Sequence, residues 1–149
     1  MRESANWYFQ GLDQEMGYSR LYTCYRQISY GNCDLTAGID DYWAESSLKI
    51  SPAEQAVLLS GLLQNKWGFD SRNIQAVKDA MFIADTSVGK LYGKTGTGLS
   101  DGVYVNGWFV GFIENRGHTW CFAANIPESK TPSGDLAAEI TVDILEDML

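Results

Sequence analysis

Five consecutive residues, Lys94-Thr95-Gly96-Thr97-Gly98, have the types and spacing best suited to chemistry. They lie in the strongest strand-forming stretch of the chain, Leu91 to Trp120. A lysine ammonium supplies fixed positive charge. The neighbouring hydroxyl can hydrogen-bond a carboxylate or pass a proton. Gly96 removes a side chain, so that a ligand can lie close against the strand, which is what a glycine inside a strand often marks. Read alone, the same residues also describe a Gly-rich hairpin with an exposed lysine. The rest of the chain has to decide.

The elements that would position this strand can be read in order. Ser4 to Met16 predicts a helix with Ser4 as N-cap, an apolar side of Trp7, Phe9, Leu12 and Met16, and Gly17 as the stop. Tyr18 to Ile28 predicts a second helix. Residues 29–36 are turn-like, and the segment 38–48 is ambiguous, with Ile39, Tyr42 and Trp43 expected inside. Ser51-Pro52-Ala53-Glu54 combines a cap, Pro at the first helical position and Glu for a capping box, and predicts a helix to about Leu63. Ser71 is read as the cap of another, through about Phe82. Three strands follow, near 88–96, 103–114 and 119–126, joined by Ser100-Asp101-Gly102 and Asn115-Arg116-Gly117. Ser133-Gly134-Asp135 opens a last helix with Leu136, Ile140, Ile144 and Leu145 on one side. Helices, an antiparallel three-stranded meander and a closing helix make an α+β fold, and no linker or repeat divides residues 1–149.

Composition narrows the function. The chain has 149 residues, long enough for one domain with a core. Its net charge of −8 argues against nucleic acid as a partner, which needs a basic footprint. No window reaches the roughly 18 apolar residues of a membrane span. The N-terminal residues show no apolar signal segment. Cys24, Cys33 and Cys121 fit no zinc pattern, so neither a metal nor any other cofactor is expected. Free thiols and a Cys24–Cys33 disulfide both remain open. His118, the sole histidine, is expected at the surface of a hairpin turn.

A family resemblance rests on several of these residues together. Tyr30-Gly31-Asn32, Gly38-Ile39-Asp40, Trp43, residues 46–50, Ser51-Pro52, Tyr92-Gly93-Lys94-Thr95-Gly96-Thr97-Gly98 and Asn106-Gly107-Trp108-Phe109-Val110-Gly111 resemble, in order, the C-terminal part of class D β-lactamases. They are still more similar to the extracellular sensor domains of BlaR/MecR-type β-lactam receptors. Lys-Thr-Gly is one of three motifs of serine β-lactamases and penicillin-binding proteins. Ser4-Ala5-Asn6 falls where the family carries its middle motif, Ser-x-Val in most class D enzymes and Ser-x-Asn in the sensors. The resemblance therefore implies a penicillin-binding sensor. An Asn amide would compete with the lysine carbamate that class D enzymes use for deacylation, and the acyl-enzyme would persist. A fragment of a class D hydrolase is the alternative, and a degenerate fold without drug binding is the third.

The resemblance also implies roles. Ser4 would relay protons, Lys94 would set the field of the site and hold Ser4, and Thr95 and Thr97 would reach the drug's carboxylate. The Thr97 N–H would be one of two oxyanion donors. Gly96, Tyr30 and Trp43 would shape the cleft, whereas Trp108 is read as packing. No Arg precedes the last helix, where class D enzymes often place one for the carboxylate; here that stretch reads Thr131-Pro132-Ser133-Gly134-Asp135. The family's Ser-x-x-Lys nucleophile lies well upstream of the middle motif. The two literal matches, Ser46-Ser47-Leu48-Lys49 and Ser87-Val88-Gly89-Lys90, fall where the family has other elements. The chain is thus expected to be the C-terminal portion of a transpeptidase-like domain, with the missing N-terminal part as its partner. It is expected to be inactive alone, with possible self-association through an exposed strand edge. The expected location, by resemblance only, is the outer face of the cytoplasmic membrane or the medium.

Overall fold

The computed structural model describes residues 4–127 and 129–149. Helices α1 (Asn6–Met16), α2 (Tyr18–Ile28), α3 (Pro52–Leu63) and α4 (Ser71–Met81) precede a sheet of β1 (Phe82–Thr86), β2 (Gly89–Ser100), β3 (Val103–Asn115) and β4 (His118–Ile126). Helix α5 (Gly134–Met148) closes the chain. The sheet is antiparallel in the order β1-β2-β3-β4. The α+β class and the three long strands are as expected from the sequence. The short strand β1 is additional: the sequence reading puts Phe82 at the end of a helix and gives residues 83–86 no element.

Period-2 alternation divides the sheet between two cores. Leu91, Phe109 and Ile113 face α5, where they meet Ala137 and Leu145. Phe112 faces the other way, with Leu59 of α3, Met81 of α4 and the partly buried Tyr92 and Val110. A third cluster, Leu21, Leu35 and Tyr42, holds the helical part to the 38–48 segment. Burying each such side chain stabilises the fold by about 1.5–3 kcal/mol.

Three local expectations need correction. Ser4 is not the cap of α1. Its own φ is 45°, Ala5 occupies the cap position, and no side-chain cap bond forms. Ser71 is the first residue of α4, and the adjacent Asp70 caps it, accepting from the Arg72 N–H. On α5 the buried face is Gly134, Ala137, Thr141 and Leu145, while Ile140 and Ile144 are exposed. Small residues let this helix sit close against the strands: a Cβ on Gly107 of β3 would fall 2.0 Å from the Ser133 carbonyl oxygen. The caps of α3 and α5 form as read, with a capping box between Ser51 and Glu54 and an acceptor bond from the Leu136 N–H to Ser133. The apolar side expected for α1 is largely uncovered, Trp7 being 75% exposed. All three cysteines stand as free thiols, and His118 is exposed as expected.

Candidate active-site cleft

The Lys94 strand has an open edge. β1 pairs with β2 only through Tyr92, so from Gly93 onward the far side of β2 has no strand beside it. On its other side β2 stays paired with β3, Lys94 opposite Val110 and Gly96 opposite Trp108. Alternation puts Lys94, Gly96 and Gly98 on the face that carries Val110 and Trp108, and Thr95 and Thr97 on the α5 face.

Two adjoining cavities lie along this edge. The larger, about 570 Å³, is lined by Asn6, Tyr30, Trp43, Gly96 and Thr97 among others. The smaller, about 540 Å³, is lined by Ser4, Asn6, Phe9, Trp43, Lys94, Thr95, Gly96 and Thr97. Asn6, Trp43, Gly96 and Thr97 border both, so the two form one continuous cleft. All eight candidate residues therefore converge from three separate parts of the chain.

The positions of these side chains have identifiable causes. Lys94 is half-buried and its Nζ donates to the Thr95 carbonyl oxygen at 2.5 Å. Burial pulls its pKa below the usual lysine range, and the negative charge of Asp135 on α5 partly opposes that shift. A lysine so placed gives up its proton more easily than one in water. Ser4 borders the same cavity, but the Lys94 ammonium is engaged with its own strand and does not hold the Ser4 side chain. Thr97 Oγ1 accepts from the Gly134 N–H at 2.9 Å, which ties the motif strand to the start of α5. Its hydroxyl hydrogen stays available to donate. A Cβ on Gly96 would meet only the Trp108 Cβ, at 3.7 Å. Packing does not demand a glycine there, and the space stands open to the cleft.

The opposite wall is the 43–50 segment, and Tyr30-Gly31-Asn32 holds it in place. Asn32 donates to the Ser47 carbonyl, and its Oδ1 accepts from the Lys49 and Asp34 N–H groups. Its backbone N–H adds a bond to the Lys49 carbonyl. Gly31 has φ 49°, and a Cβ there would fall 2.0 Å from the Lys49 carbonyl oxygen. The Tyr30 pKa is pushed up to about 12, first by burial and next by Tyr25, with a hydrogen bond to Gln55 opposing. Trp43 packs on the Leu21–Leu35–Tyr42 core and also lines the cleft. Behind it Tyr25 and Tyr42 share a 3.0 Å hydrogen bond, and Tyr42 donates to Asp13 of α1. That chain fixes α1, and with it Asn6, against the wall.

The sequence reading does not include the other residues of the cleft among its site residues. Trp108, read as packing, lines the larger cavity beside Val110. Glu45, Lys49, Gln55 and Asn106 line it too, and Asn106 Nδ2 donates to Glu45 Oε1 at 2.9 Å across 61 residues. No local pattern announces such a pair. The two literal Ser-x-x-Lys matches form no helical turn: residues 46–49 lie in bends and irregular chain, and Ser87 sits in the β1–β2 turn. Ser47 Oγ is occupied, donating to the Asp34 carbonyl and accepting from the Ala37 N–H. Among the described residues no His, Cys, Asp and Glu group is arranged to hold a metal ion.

The geometry has close counterparts among known proteins. The family described as the penicillin-binding protein transpeptidase domain matches residues 1–146. Probable β-lactamase YbxI of Bacillus subtilis (strain 168) is 44% identical over 147 residues, which are 98% of this chain and 52% of that protein. Regulatory protein BlaR1 of Bacillus licheniformis is 39% identical over 146 residues, 98% of this chain and 24% of that protein. The solved C-terminal domain of the Bacillus licheniformis BlaR penicillin-receptor superposes with a TM-score of 0.90 at 38% identity, covering 99% of this chain and 60% of that one. A class D β-lactamase from Bacillus subtilis gives 0.88 at 43% identity, with the same coverage. The chain thus spans about half the length of YbxI and about a quarter of BlaR1. With its motif strand, cleft and fold all in agreement, the chain belongs to the penicillin-binding protein transpeptidase domain family, and it is similar there to class D β-lactamases and BlaR-type regulators.

Proposed function

We propose that this chain is the C-terminal portion of a β-lactam-binding sensor domain of the BlaR type. The observation that carries the reading is the cleft itself: Ser4 and Asn6 brought beside Lys94, Thr95, Gly96 and Thr97 along an open strand edge. In this reading the drug lies against β2 in the space above Gly96. Lys94 supplies the positive field and Ser4 relays a proton. Thr95 and the free O–H of Thr97 take the drug's carboxylate, and the Thr97 N–H serves as a fixed oxyanion donor. Asn6 at the junction of the two cavities supplies an amide where an apolar side chain would favour a lysine carbamate. That supports a lasting acyl adduct over turnover.

The nucleophile and its lysine belong, in this proposal, to a preceding part of the same domain. The uncovered aromatic side of α1 and the outer edge of β4 support a partner there, and the same surfaces support self-association of the isolated chain. The complete domain would face the outside of the cytoplasmic membrane or the medium, and among the described residues no helix is long and apolar enough to cross a membrane. The second reading is part of a class D β-lactamase, favoured by the 44% identity with YbxI.

Intact-mass spectrometry after incubation with benzylpenicillin separates the readings. It is run on this chain and on a version extended upstream in the coding DNA. The sensor reading expects the drug's mass on the extended chain alone, retained for hours. Acylation that clears within seconds replaces it with the hydrolase. A label on the 149-residue chain itself would overturn the assignment of the nucleophile to another segment and direct mutation to Ser46 and Ser87.

A further inference from the structure

Helix α1 carries Asn6 into the cleft, yet none of its residues is buried and none joins the three apolar clusters. Its attachment to the wall segment is polar. Gln10 Nε2 donates to the Asp40 carbonyl at 3.1 Å, Gln14 Nε2 donates to Asp40 Oδ1 at 2.7 Å, and Asp13 Oδ2 accepts from the Tyr42 hydroxyl at 2.9 Å. Helical spacing puts Gln10, Asp13 and Gln14 on one face, and Asn6, one turn before Gln10, stands on that face too. Asn6 and Gln10 line the larger cavity, and Asn6 also borders the smaller one with Lys94. The row of side chains that docks the helix is therefore the row that enters the cleft.

The three bonds are not equal. Those of Gln10 and Gln14 lie in exposed surroundings, where water can replace either partner. Tyr42 is 2% exposed, so its hydroxyl depends on the protein for its partners. An ionised carboxylate only accepts, so Tyr42 donates to Asp13 and receives the hydroxyl of Tyr25, 3.0 Å away. Burial, then Tyr25 and Asp13, push the Tyr42 pKa up, which keeps that proton in place. The hydroxyls thus run one way, from Tyr25 through Tyr42 to the carboxylate on α1, and a bond to a charged acceptor is among the stronger ones. Tyr42 also directly precedes Trp43, which borders both cavities together with Asn6. One backbone step joins the anchor of α1 to the aromatic wall. We infer that Asp13 and Tyr42 are positioning residues: their hydrogen bond sets where Asn6 stands relative to Trp43 and Lys94. What Asn6 then does to a bound drug rests on the sensor reading; the positioning does not.

The test reads the Asn6 side-chain amide and the Trp43 indole N–H by NMR on the 149-residue chain. Tyr42→Phe removes the hydroxyl alone, Asp13→Leu removes the acceptor, and Asp13→Asn keeps an oxygen for Tyr42. The first two are expected to move both signals and to speed hydrogen exchange in α1 at least about tenfold, the effect of one charge-assisted bond, while the β2–β3 ladder keeps its rates. Asp13→Asn should restore the parent signals. Asp13 is only half-buried, on a helix outside the apolar clusters, so Asp13→Leu carries the test if Tyr42→Phe fails to fold. Unmoved signals and unchanged α1 exchange in Asp13→Leu overturn the inference, even where the unfolding midpoint falls. The sensor reading is judged separately, on the chain extended upstream and treated with benzylpenicillin. Moved signals together with an adduct lifetime shortened at least about tenfold in Asp13→Leu uphold both. Moved signals with an unaltered lifetime uphold the positioning and defeat the role given to Asn6. Moved signals with no adduct on the unsubstituted extended chain uphold the positioning and defeat the sensor reading.

Discussion

Replacing Asn32 with alanine should loosen the wall of the cleft without touching the motif strand. The Asn32 side chain makes three hydrogen bonds: to the Ser47 carbonyl at 2.9 Å, from the Lys49 N–H at 3.0 Å and from the Asp34 N–H at 3.1 Å. Each is worth about 0.5–1.5 kcal/mol net. Asn32 is exposed, so water takes over part of each bond, and the expected loss is about 2 kcal/mol rather than the upper sum. With a urea dependence of about 1–3 kcal/mol per molar, the unfolding midpoint should fall by about 1 M. The loss should also be local. The Lys49 amide loses its acceptor, and its hydrogen exchange should accelerate more than that of amides in the β2–β3 ladder. Asn32→Asp keeps both acceptor bonds and loses only the donor to Ser47, so it should cost about half as much. A drop under about 0.5 kcal/mol for the alanine variant, or uniform acceleration across the sheet, would refute the idea that this turn staples the cleft wall.

Two further outcomes follow from the packing. The Glu114 carboxyl is held below its usual range, first by the hydrogen bond from Lys78 and then, against burial, by Tyr92 and the positive charges near it. A carboxyl with a lowered folded pKa stabilises the protein above its unfolded pKa and loses that contribution as pH falls through the folded value. Glu114→Gln should therefore lower stability by about 1 kcal/mol at pH 7, given the partial exposure of the pair, and denaturation curves of variant and parent should converge below about pH 4. A constant difference at every pH would contradict this. Gly107→Ala should push the start of α5 off β3, since the new Cβ would meet backbone at Ser133, and should cost about 1–3 kcal/mol in thermal or urea unfolding. An unchanged midpoint would show that α5 can shift freely.

How much of this was legible in the sequence depended on whether the governing contact was local. The capping box at Ser51 and Glu54, the hairpin turns and the extent of β3 involve neighbours in sequence, and each forms as read. Local reading failed where two local choices were nearly equal. Asp70 and Ser71 are both good caps, and the pattern could not rank them. The five residues of β1 open with three apolar residues in a row, which a sequence pattern does not separate from the helix before them, and they become a strand because Leu91 and Tyr92 are there to pair with. On α5 the apolar pattern puts Ile140, Ile144 and Leu145 on the core side, and of these the sheet buries only Leu145, beside Gly134, Ala137 and Thr141, because close approach of helix and strand depends on Gly107 and Gly134 together. The cleft divides in the same way. Its candidate residues were found because motifs announce Lys94, Tyr30 and Ser4, and the fold then brings all of them to one open edge. The Glu45–Asn106 pair has no motif, and it exists only because β3 and the 43–50 wall meet at Gly98. That glycine was read as part of a chemical motif. The structure gives it a second task, admitting two acceptor oxygens to the strand, and the residues that complete that end of the cleft are the ones a sequence pattern cannot join.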